Sequence, residues 1–542
     1  MAELKVVGKP FPRVDAQEKV TGEAIFGTDV KLPGMLIGKF LGSPHPHAEI
    51  VSIDTSKAEA LPGVHAVVTA ADLPQSEHYD PSSRAHAVLA RDRVLFVGQP
   101  VAAVAAEDLS TAEEALALIK VEYRPLPAVL DPVEAMKPDS PTIRHGGKGA
   151  SGDMEVHTQQ VAGLEAETAA EANNVVNHII FEQGDIVQAF AESDVIVERQ
   201  FRMPMVHQGY IEPHAQTAAW DSKGNLTMWL STQGQFVTQE TLCEVLGLKP
   251  SQVRVISTEI GGGFGGKASL FAPLTAVLAK KAGRPVKLVL TRSEELQAAN
   301  PAPMTVIDIK VGAKKDGRVT GIQARVVMDT GAYPGAPMTV TSLMLGQPYK
   351  FTAMYIEGFE VLTNKPSATA YRAPGGPNAA AALEPCIDML AKELGMDPLA
   401  FRQLNAAEEG DIQPHGRPHP KIGLREVLKA IEPAWKSLAG KPKEVNGRLR
   451  GRGVACGGWG GGRGPGAAIV MLDADGTFRL VTGTVDLTGS FTSLAQIAAE
   501  GLGVSLSQVR PYKGDTATGP WAPMSAGSQT TYGQGPAVLA AA

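Results

Sequence analysis

Apolar positions recur along this chain at two spacings. Short β-branched or alternating blocks predict strands, as at Ala66-Val-Val-Thr69, Pro100-Val-Ala-Ala-Val-Ala105, Asp194-Val-Ile-Val-Glu198 and Val253-Arg-Val-Ile-Ser-Thr258. Elsewhere apolar residues return every three or four positions, which predicts helices over Ala112–Lys120, Gly184–Phe190, Ser269–Ala282 and Asn378–Glu393. Strands and helices alternate irregularly between Gly/Pro-rich turns, the pattern of an α+β fold. One stretch breaks the rhythm. Met136–Asn177 is rich in Gly, Glu, Ala and Thr, contains Pro138 and Pro141, and reads as a surface linker with one short helix at Val161–Ala172. The expected units are therefore 1–135, a small N-terminal α+β domain, the linker 136–177, and a large domain in two parts, 178–445 and 446–542.

The large domain contains an internal echo. Gly224-Asn-Leu-Thr-Met-Trp-Leu-Ser-Thr-Gln233 runs on to Leu246-Gly-Leu-Lys-Pro-Ser-Gln-Val-Arg254. Much later Gly476-Thr-Phe-Arg-Leu-Val-Thr-Gly-Thr484 runs on to Leu502-Gly-Val-Ser-Leu-Ser-Gln-Val-Arg510, with four more residues between the first glycine and the serine. Each copy reads as strand, polar loop, helix and second strand, so duplicated modules are expected to face each other across a site. The first empties into Glu259-Ile-Gly-Gly-Gly-Phe-Gly-Gly-Lys267, the second into Gly514–Pro520 and Ser525-Ala-Gly-Ser-Gln-Thr-Thr531.

The glycine loop carries the candidate chemistry. Five glycines in six positions let a backbone bend sharply and approach a ligand closely, with Phe264 at the mouth. Its spacing matches a phosphate-binding P-loop up to the last position, where Ala268 replaces the Ser or Thr that would hold magnesium. Cradling of a different anionic cofactor is the better reading, a ligand-free turn the bland one. Arg372, read as lying at a strand end before the turn Pro374-Gly-Gly-Pro377, could fork onto an oxyanion or a carboxylate, or simply face solvent. Gly457–Gly466 reads as a flexible edge. His45 and His47 could face the same way on a strand, although turn or surface positions suit them better. In His207-Gln-Gly-Tyr-Ile-Glu-Pro-His214 the proline rules out a zinc helix and leaves packing or loop-shaping.

Composition narrows the classes. With 542 residues there is room for three or four domains or two large ones. A net charge of −7 without a basic block argues against nucleic acid as a partner. The three cysteines, Cys243, Cys386 and Cys456, form no C-x-x-C pair, so neither a disulfide framework nor an iron–sulfur cluster is expected on this chain. No apolar run is long enough to span a bilayer, and the start has no signal-peptide core, so the cytoplasm is the expected location.

Taken in order, Thr21–Asp29, Leu32–Met35, Ser43–Ile50, Val97–Val104, Val121–Leu126, Ser231-Thr-Gln233, Gly261–Lys267 and Ala370–Pro377 give a chain-long resemblance to a known family. The sequence resembles the molybdenum-binding subunit of the xanthine dehydrogenase/aldehyde oxidase family, the molybdenum hydroxylases. The resemblance implies an N-terminal α/β-hammerhead-like domain and a molybdopterin-binding domain built from duplicated modules. The implied cofactor is molybdenum on molybdopterin, alone or as the cytosine dinucleotide. Gln233 and Arg372 would serve catalysis, beside cofactor contacts from Gly262, Gly263, Phe264, Gly265, Ala373, Gly527, Ser528 and Thr530. No protein side chain would ligate the metal, which is held through the pterin dithiolene. The implied activity is oxidation of an aldehyde, an aromatic N-heterocycle or a related activated carbon with oxygen from water. Electrons would leave through [2Fe-2S] and FAD on an iron–sulfur subunit and a FAD subunit.

Five departures shape these expectations. Ala268 stands where purine-oxidising members carry glutamate, and Pro374 where they carry a purine-stacking aromatic. No cysteine neighbours Arg372, unlike the copper-containing carbon monoxide dehydrogenases. Asp486-Leu-Thr-Gly-Ser-Phe491 replaces a Gly-Gln-Gly cofactor contact. The family's glutamate base lies beyond the serine-rich segment and is not found before Ala542, so a second molybdenum-subunit fragment, or a missing continuation, is expected to supply it. The alternative to an enzyme is a non-catalytic cofactor-binding or scaffold subunit.

Overall fold

The first six strands are β1 (Leu36–Gly42), β2 (Ala48–Asp54), β3 (Val64–Thr69), β4 (Arg93–Val94), β5 (Pro100–Ala106) and β6 (Lys120–Pro125). They come from a computed structural model that describes residues 4–74, 83–144, 173–268, 270–439, 444–462, 464–487 and 489–542. The helix expected at Val161–Ala172 lies outside the described residues. β5 is buried along its whole length, as its unbroken apolar run requires, and pairs antiparallel with β1 and β3. β2 sits between β4 and β6 in a small separate sheet.

After β7 (Val175–Gln183) and β8 (Val195–Met203) follow β9 (Ala215–Trp220), β10 (Leu226–Leu230), β11 (Val253–Ser257) and β12 (Val286–Val289). These last four continue the first sheet, giving the order β11-β10-β9-β12-β1-β5-β3. The join is the parallel pairing of β1 with β12, so the N-terminal strands and the strand that feeds the glycine loop share one sheet. Helix Ala272–Ala282 covers it and buries every residue from Ala272 to Ala279. It begins later than Ser269 because Pro273 is tolerated only in a first turn, and it stops at left-handed Gly283.

A second sheet, ordered β7-β15-β14-β13-β8, adds β13 (Thr305–Ala313), β14 (Val319–Gly331) and β15 (Ala353–Leu362). Helices Met338–Gly346 and Gly376–Glu393 pack on it through Met338, Leu343, Leu383, Ile387 and Leu390. β7 starts at Val175, inside the stretch read as linker, because Val175, Ile179 and Phe181 supply apolar residues that the sheet buries.

The echo is a structural repeat. β16 (Glu444–Val445) and β17 (Arg448–Leu449) form a small hairpin, followed by β18 (Ala468–Leu472), β19 (Phe478–Thr482) and β20 (Val509–Lys513). β9, β10 and β11 pair antiparallel then parallel, and β18, β19 and β20 do the same. The crossover helices are Gln235–Leu246 and Ser490–Leu502, each ending at a left-handed glycine, Gly247 or Gly503. The shared Ser-Gln makes the same turn twice: the Gln252 side chain accepts the Lys249 N–H, and that of Gln508 accepts the Ser505 N–H. The extra residues of the second copy lie almost wholly in loop 483–489.

Candidate functional site

Three turns from distant parts of the sequence meet at Phe264. β11 carries the chain into the glycine loop, where Gly262, Phe264 and Gly265 have φ of +95°, +54° and +104°. The Arg372 N–H donates to the Phe264 carbonyl at 2.9 Å and fixes the 370–376 turn against the loop. There a Cβ on Gly265 would lie 2.6 Å from the Ala370 carbonyl oxygen, so no other residue fits. Gln233 is buried and joins the third segment. Its Oε1 accepts the N–H groups of Gly265 (2.8 Å) and Lys267 (3.3 Å), and its Nε2 donates to the Ser525 carbonyl at 3.0 Å. Thr530 Oγ1 donates to Ser525 Oγ at 3.0 Å, and Gly527 and Ser528 lie between them in left-handed backbone.

Strain is concentrated here. Six non-glycine residues among those described have positive φ, and two of them, Asn174 and Asn446, tolerate it. The other four are Phe264, Arg372, Ala373 and Ser528, all on the three turns. The N–H groups of Gly262, Gly263, Phe264, Ala373, Gly527 and Ser528 find no acceptor among the described residues. Successive free N–H groups on such turns make an anion seat. The Arg372 side chain is exposed.

Arg372 does not sit at a strand end. β15 stops at Leu362, and the chain beyond is held piecemeal, by Ala368 N–H to the Thr330 carbonyl and by Gln208 Nε2 to the Ala370 carbonyl at 2.9 Å. Within Gly457–Gly466, Gly462 N–H and Trp459 Nε1 both donate to the Gly527 carbonyl, at 2.6 and 3.2 Å. His47 Nδ1 lies 2.6 Å from the Pro127 carbonyl and His45 packs edge-on to Tyr123, both in a turn before β2.

A buried polar layer lies behind the loop. Lys267 is fully buried on Glu212 and stands 5.1 Å from the centre of the Tyr210 ring. Tyr210 donates to Glu295 at 2.7 Å, and His214 Nδ1 lies 3.0 Å from the same carboxylate. Burial lowers the Lys267 amine below its ordinary value, with Glu212 opposing. Burial would raise the Glu295 carboxyl, but His214 and His207 outweigh it and hold it well below the usual range. The His207–His214 stretch thus shapes the loop. Sequence reasoning missed Glu212 and Gln208 as loop partners; the only signal was their place in that stretch.

The two modules meet through their exits. Gln235 Nε2 donates to the Gly483 carbonyl at 2.7 Å, and Val255 N–H to Thr516 Oγ1 at 2.9 Å. Arg254 Nε donates to buried Asp515 at 2.9 Å. Burial alone would raise the Asp515 carboxyl, but Arg254 outweighs it and holds it below its ordinary 3.8. A depressed folded value stabilises above the unfolded one and is lost as pH falls through the folded one. Asp515→Asn is therefore expected to cost about 1–2 kcal/mol at neutral pH. Its melting-temperature deficit should shrink as the pH is taken below about 4, read by melts across that range. In the second module Asp486 Oδ1 accepts the Gly489 N–H and the Ser490 hydroxyl, each at 3.0 Å, and so closes the turn that leads into the crossover helix.

A cavity of about 430 Å³ lies beside the 372–376 turn, lined by Met344, Leu383, Leu424, Val427 and Trp459, with Gly376 and Gly458. Its polar groups largely satisfy one another: Gln347 Nε2 donates to Gln413 at 2.6 Å, and His419 Nε2 lies 3.1 Å from the Gln347 carbonyl. Burial lowers His419 below 6.5, so the lining is uncharged near neutral pH.

Comparison with known proteins gives the family. Residues 21–127 match the aldehyde oxidase and xanthine dehydrogenase a/b hammerhead domain, and 168–406 and 429–542 match molybdopterin cofactor-binding domains. The chain is 33% identical over 543 residues to a probable xanthine dehydrogenase subunit of Bacillus subtilis, covering 97% of this chain and 69% of that one. It is 34% identical over 438 residues to the nicotinate dehydrogenase large molybdopterin subunit of Eubacterium barkeri, covering 80% of this chain and 97% of that one. The structure superposes on the aldehyde oxidoreductase of Desulfovibrio gigas with a TM-score of 0.87 and 26% identity, spanning 99% of this chain but only 59% of that one. The chain belongs to the xanthine dehydrogenase/aldehyde oxidase family as a molybdenum-binding subunit.

Proposed function

We propose that the three turns clasp the molybdenum cofactor and that this chain carries the oxidising centre of a multi-subunit hydroxylase. The observation that carries this reading is the coincidence of left-handed backbone and free N–H groups on Phe264, Ala373 and Ser528. That arrangement fits an anionic pterin phosphate and leaves room for close approach. When bound, the cofactor supplies oxidation of an electron-poor carbon with oxygen from water.

This chain's residues then hold and polarise. Gln233, with one amide hydrogen beyond its bond to Ser525, faces the metal end, flanked by Phe264 and Gly265. Gly262, Gly263, Ala373, Gly527, Ser528 and Thr530 contact the pterin or its phosphates. Arg372 presents an exposed guanidinium where negative charge develops. The substrate's apolar body occupies the cavity against Trp459, which suits an uncharged aldehyde or aromatic N-heterocycle better than an anion.

In this reading a second molybdenum-subunit fragment would supply the general base. The Eubacterium barkeri relative supports such a division, since it is itself a large molybdopterin subunit almost wholly covered by the match. Electrons leave through [2Fe-2S] and FAD on further subunits. Among the described residues no helix is long and apolar enough to cross a membrane. We read the chain as 1–135, a linker 136–177, 178–445 and 446–542; the matches to 21–127, 168–406 and 429–542 support that order of units, with starts at 168 and 429 that fall inside the linker and the first large part. A scaffold role is favoured only by Asp486 closing the second module's turn.

Native purification followed by metal analysis and identification of the accompanying chains tests the assembly. Trp459→Ala in that complex is expected to raise KM for aromatic substrates about tenfold, with a smaller loss of kcat because its bond to the Gly527 carbonyl goes with it. An unchanged KM would remove the cavity from the substrate path, and unchanged turnover after Arg372→Ala would favour the scaffold.

A further inference from the structure

We propose that Glu212 is a positioning residue for the cofactor site: by gripping Gly261 and Lys267 together it closes the glycine loop and keeps Phe264 in its left-handed turn. The inference rests on the cofactor reading above and goes beyond it, because Glu212 lies outside the three turns. One carboxylate oxygen, Oε2, accepts the Gly261 N–H at 2.7 Å and also the Lys267 ammonium. The two ends of the loop are thereby pinned to a single atom, with all three positive-φ residues between them. The other oxygen accepts the Gly27 N–H at 3.3 Å, which ties the loop to the N-terminal unit. Neither side chain is accessible, at 0% exposure for Lys267 and 8% for Glu212. The approach is so close that a Cβ on Gly261 would lie 2.4 Å from the Glu212 Cβ.

Gln233 holds the same loop from the opposite side, through Gly265 and Lys267. The loop is therefore tied on two sides, and Phe264 is left standing out between the ties at 39% exposure. Cutting the Glu212 side-chain tie leaves Gly261 held only through its carbonyl, on the Glu212 N–H at 3.2 Å, and Lys267 held only from the Gln233 side. That loosens the loop and lets Phe264 relax toward ordinary backbone geometry. A buried ion pair gives no assurance of stability. Removing one partner strands a charge, whereas removing both is often neutral. The pair's value here is geometric.

The test uses the whole complex carrying Glu212→Gln, Lys267→Met and the double substitution. Each single variant is expected to lower the melting temperature, and the double variant to regain the wild-type value. In the double variant the amides of residues 259–268 should still exchange about tenfold faster than in the wild type. Its kcat should stay about tenfold down with KM within about twofold. Wild-type exchange and kcat in a thermally restored double variant would overturn the proposal. If the double variant does not accumulate, Glu212→Asp, too short to span both ends, decides by the same exchange measurement: unchanged protection overturns the proposal. A wild-type complex without molybdenum would defeat the cofactor reading alone, because exchange still reports on the tie.

Discussion

Gly265→Ala is expected to empty the complex of molybdenum and to cut turnover by at least about a hundredfold, while the fold survives. The added Cβ would stand 2.6 Å from the Ala370 carbonyl oxygen and 2.7 Å from its Cβ, and backbone cannot swing aside as a long side chain can. The φ of +104° is also closed to alanine. Relief requires the loop and the 370–376 turn to part, which breaks the 2.9 Å bond from Arg372 N–H to Phe264. A displacement of about 1 Å at a reacting centre is enough for a hundredfold loss. Phe264 and Gly265 belong to none of the hydrophobic clusters, so melting should change little. Gly283→Ala is the control. It imposes left-handed strain at φ +62° with nothing within 4 Å of the new Cβ, and is expected to keep both metal and activity. Metal analysis, turnover and thermal melts of the two variants separate a cofactor effect from a folding one.

The largest stability effect is expected from Arg402→Met. Arg402 is fully buried and donates to Glu384 at 2.8 Å and Asp388 at 2.7 Å. Glu384 further accepts the Tyr349 hydroxyl at 2.6 Å and the Cys456 N–H at 2.8 Å. Burial works against the Arg402 charge, but Glu384 outweighs it and holds the guanidinium above its ordinary value. Without the arginine Glu384 is a buried carboxylate facing neutral donors only, which costs about 3–5 kcal/mol. Pairing the change with Glu384→Gln should recover most of that loss. Denaturant melts of both variants read the difference. A single variant within about 1 kcal/mol of wild type would show that the cluster relaxes around the missing charge.

What the residue pattern makes legible is local. The β-branched run at Val253 is a strand because every second residue enters the core, and the repeated Ser-Gln-Val-Arg marks a repeated turn because Gln252 and Gln508 each cap it. The glycine loop is conspicuous because a packed neighbour forbids a side chain at positions such as Gly261 and Gly265. What stays hidden is long-range. Nothing near Glu212 signals that its partner is Lys267, and nothing near Gln208 signals the Ala370 carbonyl. Arg372 reads as a strand end because its neighbours are small and turn-flanked. Its backbone is instead pinned by Phe264, more than a hundred positions earlier. The cavity is invisible for the same reason, since its walls come from residues between Met344 and Gly460.

The central claim is that the turns around Phe264 hold molybdenum. Metal analysis of the natively purified complex tests it most directly. Roughly one molybdenum per copy of this chain is predicted, released together with a phosphorylated pterin on denaturation. A correctly assembled complex that contains no molybdenum, or one whose Gly265→Ala variant retains it undiminished, would contradict the account.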